Sequence, residues 1–293
     1  MRSLLLLLAL ASPLLGATVV HQERSLYRDI SVIDAKGRRC LVFAAVRGDL
    51  NQSCQYLDGS QQLVFPYTRM SFAALLLQPA PKRILVVGLG GGTLPMTLSR
   101  LLPKAEITVV ELDEAVEKVA KAYFGFKETP QMKVTLSDAR VYVKRAGLKG
   151  EHFDLILLDA FNGDYIPEHL MTREFLEEVK ALMSPGAVLV ANTFSTSKLY
   201  DHESATYAAV FGPFFNFRQP KVTLSRVIVA SLAPLPSRAQ MQQRAKALVA
   251  LLAPYGIPIA SYPALLSSTP DWDQGARVLT DQYSPANLLN QQP

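Results

Sequence analysis

From residue 83 to about 193 the sequence repeats one alternation, and few folds accept it. The runs RILVVG, EITVVEL, MKVTLSD, FDLILLDA and AVLVANTF are short and nearly continuous in apolar residues. Between them lie helical patterns: a run ending at Leu102, then EAVEKVAKAYF, ARVYVKRAG and TREFLEEVKALM. A strand with no polar alternation is buried on both faces. The pattern therefore predicts a doubly wound, mostly parallel α/β sheet with helices on either side.

The flanks read differently. YRDISVID, RRCLVFAA, SCQYLDG and QQLVF predict short strands with turn breaks, a small β-stranded module. YTRMSFAALLL then takes helical spacing until Pro79 and Pro81. Beyond the alternation lie one more strand, SRVIVASL, a helix over 237–253 and a Pro-rich, polar tail. The division expected is a leader at 1–17, a β-hairpin module at 18–78, the doubly wound domain at 79–235 and a C-terminal helix and tail at 236–293. With 49% hydrophobic and 19% charged residues, the 293-residue chain can build a sizeable core. Its net charge of +5 is scattered, which argues against a nucleic-acid partner.

The opening MRSLLLLLALASPLLGA has a basic start, an apolar core from Leu4 to Leu15 and small residues at Gly16 and Ala17. That predicts a cleaved signal peptide and an exported, periplasmic or secreted chain beginning at Thr18, with no membrane span after cleavage. A mis-read start would leave the protein cytoplasmic. Cys40 and Cys54 are the two cysteines. A hairpin turning near Arg47 and Gly48 sets them opposite each other, as a disulfide or as two inert thiols. His21, His152, His169 and His202 lack ligand spacing, so no metal site is expected.

The first strand of the alternation runs into Gly88, Gly90, Gly91 and Gly92. Doubly wound sheets bind ligands at the carboxyl ends of their strands, where glycines let a ligand touch backbone. Glu111 ends the second strand, 23 residues after Gly88, where an acid accepts hydrogen bonds from ribose hydroxyls. Asp138 ends the third strand and can meet an adenine amino group or cap a helix. Asp159 ends the fourth, at the rim facing the ligand. The constellation fits an adenosine-type ligand. The dinucleotide pattern wants a third glycine where Thr93 stands, so a sulfonium nucleoside of the S-adenosylmethionine type fits better than NAD.

These residues resemble the spermidine synthase (polyamine aminopropyltransferase) family, in its bacterial spermidine-synthase-like branch. SLYRDISV resembles the family's opening strand, and LDGSQQLVFPYTRM its second module. GLGGGTLP through VELDEAV resembles the nucleotide-binding segment. LLDAFNGDYIPEHLMTREFLEEVKALMSPGAVLVAN resembles the catalytic loop with its helix and next strand, and RVLTDQYSPANLL a tail common in that branch. The resemblance implies an N-terminal β domain on a Rossmann-like domain, and a homodimer. It also implies transfer of an aminopropyl group from decarboxylated S-adenosylmethionine to a putrescine-like amine, without metal. By position, Asp159 is the general base, Gly88, Gly90, Gly92, Glu111 and Asp138 hold the nucleoside, and Tyr67, Asn162, Asp164, Tyr165 and Arg28 line the substrate channel.

Several positions depart from the family. Gly91 stands where an Asp grips the donor amine, Thr68 replaces a Gln or His, Arg28 replaces a Gln, and Asn162 replaces the second Asp of the catalytic loop, with Asp164 two residues on. Arg28 and Gly91 suit a donor that keeps its carboxylate, so an S-adenosylmethionine-dependent methyltransferase is one alternative. The leader favours another, a noncatalytic exported binder of polyamines or nucleosides. Outside the site, Trp272 and the aromatic run VFGPFFNF are expected to pack the core or the tail.

Overall fold

The computed structural model describes residues 16–45, 48–160, 166–220, 222 and 224–284. The leader's first 15 residues lie outside them, as do Arg47 of the expected hairpin turn and Asn162, Asp164 and Tyr165 of the expected channel. Four strands open the described chain: β1 (Thr18–Arg24), β2 (Asp29–Ala35), β3 (Arg38–Ala45) and β4 (Gly48–Tyr56). They form one antiparallel meander in chain order. Cys40 and Cys54 stand opposite each other in the β3–β4 register and form a disulfide.

QQLVF, expected as the fourth strand of the module, is not one, and β1 takes its place in the count. Leu63 there bonds instead to the larger domain, through its N–H to the Tyr255 carbonyl at 3.0 Å. Phe65 precedes Pro66, which begins a helix, so the ladder has nowhere to continue. That helix, α1 (Pro66–Ser71), passes into a 3₁₀ turn over Phe72–Leu76. Leu63 and residues 70–76 pack into the core of the larger domain.

The alternation then unfolds as expected: β5 (Arg83–Val87), α2 (Thr93–Leu101), β6 (Glu106–Glu111), α3 (Glu114–Tyr123), β7 (Met132–Leu136), α4 (Ala139–Leu148), β8 (Phe153–Leu158), α5 (Arg173–Ala181) and β9 (Met183–Phe194). After it come α6 (Tyr200–Phe211), β10 (Phe215–Phe217), β11 (Ser225–Ser231), α7 (Arg238–Leu252) and the short β12 (Leu266–Ser267). The eight strands form one sheet in the order β12-β10-β11-β9-β8-β5-β6-β7. β5 pairs parallel with both β6 and β8, while β11 runs antiparallel to β9.

The chain leaves β5 toward β6 and β7 and returns to β8 on the opposite side. That reversal opens a crevice at the carboxyl ends of β5 and β8. The helix starts are set locally. Asp113 caps α3 through Ala115 N–H at 3.0 Å, Thr172 caps α5, and Ser237 and Gln240 form a reciprocal capping box on α7.

Two apolar layers sandwich the sheet. One gathers α1, α2 and α7, and the other α4, α5 and α6. The N-terminal meander has its own seam: Ile30, Val32, Leu41 and Phe43 pack on Val116, Val119 and Phe124 of the α3 region. The aromatic run 210–217 is core, and Trp272 of the tail stacks on Phe214 at 4.9 Å. Among the described residues no helix is long and apolar enough to cross a membrane.

Candidate active site

A cavity of about 270 Å³ opens at the β5–β8 crevice. Gly88, Gly90, Glu111, Asp138, Asp159, Tyr67 and Arg28 all line it, so the structure brings together most of the expected site. Gly92 stands behind the turn, at the start of α2. Gly88 holds φ +101°, and a Cβ there would collide with the Asp159 carbonyl oxygen. The first glycine is thus what lets the tips of β5 and β8 close on one another.

Gly91 meets a different constraint. A Cβ there would lie 2.9 Å from both Ser53 Oγ and the Phe124 ring. A side chain at this position would require Ser53 or Phe124 to shift, so the glycine fits this arrangement of the meander against the turn.

Glu111 is buried, and both its oxygens accept backbone N–H groups, from Leu89 at 2.9 Å and Asp113 at 3.0 Å. Burial raises its pKa, and those hydrogen bonds oppose the rise. A carboxylate gripped from behind on both oxygens is a fixed acceptor for ligand hydroxyls. Asp138 caps α4 through Val141 N–H at 2.9 Å and meets His169 Nε2 at 3.0 Å with its other oxygen. The cap and the cavity position coincide in one residue, so the two sequence readings of Asp138 do not exclude each other.

Asp159 follows β8, with its carboxylate enclosed by the cavity wall. Asn192 Nδ2 donates to its Oδ1 at 2.8 Å, and the Tyr67 hydroxyl also bonds to it. Burial pushes its pKa up to about 7, with the two hydrogen bonds pulling the other way. Tyr67 is held well above the ordinary phenol range by burial and by the carboxylate beside it, so it stays a neutral donor. A carboxyl poised near neutrality inside a cavity can take a proton from a reacting group.

Arg28 reaches the cavity from the turn between β1 and β2. Its guanidinium lies 4.3 Å over the Phe43 ring, and its Nε is 3.8 Å from Asp113 Oδ2. Its charge is thus already countered before any ligand carboxylate arrives. Around the cavity three carboxyl groups (Glu111, Asp138 and Asp159) face this one guanidinium, a balance that suits a cationic ligand. Thr68 also lines the cavity, its hydroxyl turned to the Phe65 carbonyl at 2.8 Å. Among the described residues no group of three His, Cys, Asp or Glu side chains is placed to hold a metal ion.

Sequence reasoning missed Asn192, Gln52, Ser53 and His169. Asn192 left a signal, since it is the polar residue that breaks the apolar run AVLVAN at a strand tip. Gln52, Ser53 and His169 left none, because they reach the cavity only through the packing of the meander and of the loop before α5.

A spermine/spermidine synthase domain matches residues 65–227. The polyamine aminopropyltransferase of Vibrio vulnificus is 53% identical, over 93% of this chain and 92% of that protein. The polyamine aminopropyltransferase of Chromobacterium violaceum is 31% identical, over 74% of this chain and 82% of its own. Among solved structures, a probable spermidine synthase from Corynebacterium glutamicum shares the fold, with a TM-score of 0.69 over 96% of this chain and 100% of that one at 21% identity. Human methyltransferase-like protein 13 in complex with SAH matches with a TM-score of 0.59 over 64% of this chain and 93% of that one, at 27% identity. The family model spans more than half of the chain and the Vibrio relative nearly all of it, so the chain belongs to the spermine/spermidine synthase family.

Proposed function

We propose that this protein is a polyamine aminopropyltransferase, moving the aminopropyl group of decarboxylated S-adenosylmethionine to a putrescine-like amine. The observation that carries the reading is Asp159, a carboxyl raised to about 7 and held by Asn192 and Tyr67 at the mouth of the glycine turn. The amine nitrogen attacks the carbon beside the sulfonium, the carbon–sulfur bond breaks, and methylthioadenosine leaves neutral. The proton lost by the amine goes to Asp159. The sulfonium is already a good leaving group, so the remaining demands are deprotonation and alignment of donor with acceptor. Glu111 takes the ribose hydroxyls, Asp138 the adenine amino group, and Tyr67 the channel wall. Asn162, Asp164 and Tyr165 complete the acceptor side by family resemblance.

The test is product analysis. With decarboxylated S-adenosylmethionine and putrescine, the protein forms spermidine and methylthioadenosine in equal amounts. A methylated acceptor and S-adenosylhomocysteine formed from intact S-adenosylmethionine would replace this reading with methyl transfer. Donor binding without turnover would make the chain a binder.

The reading extends to location and assembly. The leader and the disulfide support export, since disulfides persist in oxidising compartments. Cell fractionation should place the chain outside the cytoplasm, cut near Ala17. The family resemblance supports a homodimer, which light scattering checks.

A further inference from the structure

The wall of the cavity opposite the glycine turn is built by strand β4 of the small N-terminal meander. Gln52 and Ser53 both line the cavity. Ser53 is buried, lies 3.5 Å from Thr93 Oγ1, and stands 3.4 Å from the Cβ position of Gly90. The Gln52 carbonyl is 3.5 Å from the Tyr67 hydroxyl. One short piece of β4 therefore touches both halves of the site, the turn that takes the donor and the tyrosine beside Asp159.

That piece is irregular. The β3–β4 register steps from Leu41–Ser53 to Val42–Asn51, so Gln52 is the extra residue of a β-bulge. A bulge can move along its strand, and each residue it passes changes face. What confines this one is the next residue but one: Cys54 is cross-linked to Cys40, directly opposite. With that register pinned, the extra residue cannot shift toward Tyr56 and turn Ser53 out of the cavity. The body of the meander is held independently, by Ile30, Val32, Leu41 and Phe43 against α3 and by Arg39 and Gln55 on the Tyr123 carbonyl. The cross-link thus governs the local bulge rather than the attachment of the sheet.

We infer that the Cys40–Cys54 disulfide is a positioning element for the donor, holding Gln52 and Ser53 against the glycine turn so that full affinity requires the oxidised protein. This rests on the aminopropyltransferase reading for the identity of the donor. Cys40 is only half-buried, so a dithiol has a route to the bond. Two electrons and two protons from dithiothreitol convert the disulfide to two thiols, and the reagent closes to its own cyclic disulfide.

The test compares oxidised protein, the same protein reduced with dithiothreitol, and the double variant Cys40→Ala/Cys54→Ala. Circular dichroism checks that each is folded. Calorimetry gives the Kd for decarboxylated S-adenosylmethionine, and initial rates give KM for each substrate. Loss of the disulfide is expected to raise the donor Kd and KM about fivefold or more, within the range of ordinary site-to-site coupling, with a smaller rise in the putrescine KM, which Gln52 reaches only through Tyr67. Ser53→Ala should weaken donor binding in oxidised protein and do much less in the double variant. Equal donor affinity in folded oxidised and reduced protein, with turnover intact, overturns the inference and leaves the proposed function standing. If the double variant fails to fold, the comparison of oxidised and reduced wild-type protein decides alone. Oxidised protein that binds no donor overturns both readings, because the cavity is then not a donor site.

Discussion

Two carboxyl groups in this molecule, Asp159 half-buried in the cavity wall and Glu203 buried in the core, are perturbed alike and do different things. Asp159 and Glu203 are each pushed up to about 7, in both cases chiefly by burial. Asp159 faces a cavity large enough for a nucleoside and is held by two neutral donors, Asn192 and Tyr67. Glu203, on α6, borders only a void of about 20 Å³ shared with Asn192 and Tyr207. It stands 3.5 Å from the guanidinium of the fully buried Arg226. Arg226 in turn donates to Asn216 at 3.1 Å and Ser204 at 2.7 Å and lies 4.0 Å over the Tyr200 ring, tying α6, β10 and β11 together. A raised carboxyl pKa thus marks burial, and only access to a ligand turns burial into chemistry.

The largest effect that tests this contrast is at Asp159. Asp159→Asn keeps the shape and removes the base, so kcat should fall about 10²–10⁴-fold, the usual worth of a general base. The folded variant should still bind donor, measured by calorimetry. A variant retaining near-wild-type kcat would remove Asp159 from the reaction. Next comes Arg226→Leu, which strands Glu203, Asn216 and Ser204 without their common partner. Its cost should appear in urea unfolding as about 3–5 kcal/mol of lost stability. Where the variant is folded, kcat should be close to that of the native chain. The two substitutions therefore separate activity from stability in opposite directions.

A smaller effect lies between the two carboxyls, at Asn192. Its amide favours the ionised form of Asp159, so Asn192→Ala should raise the Asp159 pKa. The base must be ionised to accept a proton, so kcat/KM rises with pH through about 7 in the native chain. In Asn192→Ala that rise moves to higher pH, and a move of about one unit lowers the rate at pH 7 about fivefold, because the ionised fraction falls from about one half to about one tenth. An unmoved pH profile would mean that the amide serves packing alone.

Much of this was legible in residue order, for reasons that differ between regions. Continuous apolar strands and capped amphipathic helices declare themselves locally, so β5 through β9 and the acids at their tips stood out. Asp159 and Glu111 are strand-tip residues, and chain connectivity alone puts such tips at one edge. Glu203 was invisible, because nothing about an acid in the run YDHESATY says that the helix face is buried; that depends on Arg226, 23 residues later in another strand. The QQLVF segment misled for the related reason that strand propensity needs a ladder, and Pro66 and the larger core took the segment instead. Ser53 and Gln52 enter the site through a bulge whose register only the folded sheet defines.

The smallest effect gives the cleanest separation. A carboxyl whose folded pKa lies above its unfolded value binds more protons when folded between the two values. For Glu203 that window runs from the ordinary 4.5 to about 7, and its stabilising share is lost as pH rises through it. Glu203→Gln cannot titrate, so its melting temperature should fall less than that of the native chain between pH 4.5 and 7, the two being closest at the acid end. Asp159→Asn should flatten the same curve, because Asp159 titrates over a similar range. The rate distinguishes them. Glu203→Gln should keep the rise of kcat/KM at about pH 7, since its carboxyl faces Arg226 rather than the reacting amine. If that rise moved in Glu203→Gln, Glu203 would be coupled to the proton transfer through Asn192, and the two carboxyls would form one device.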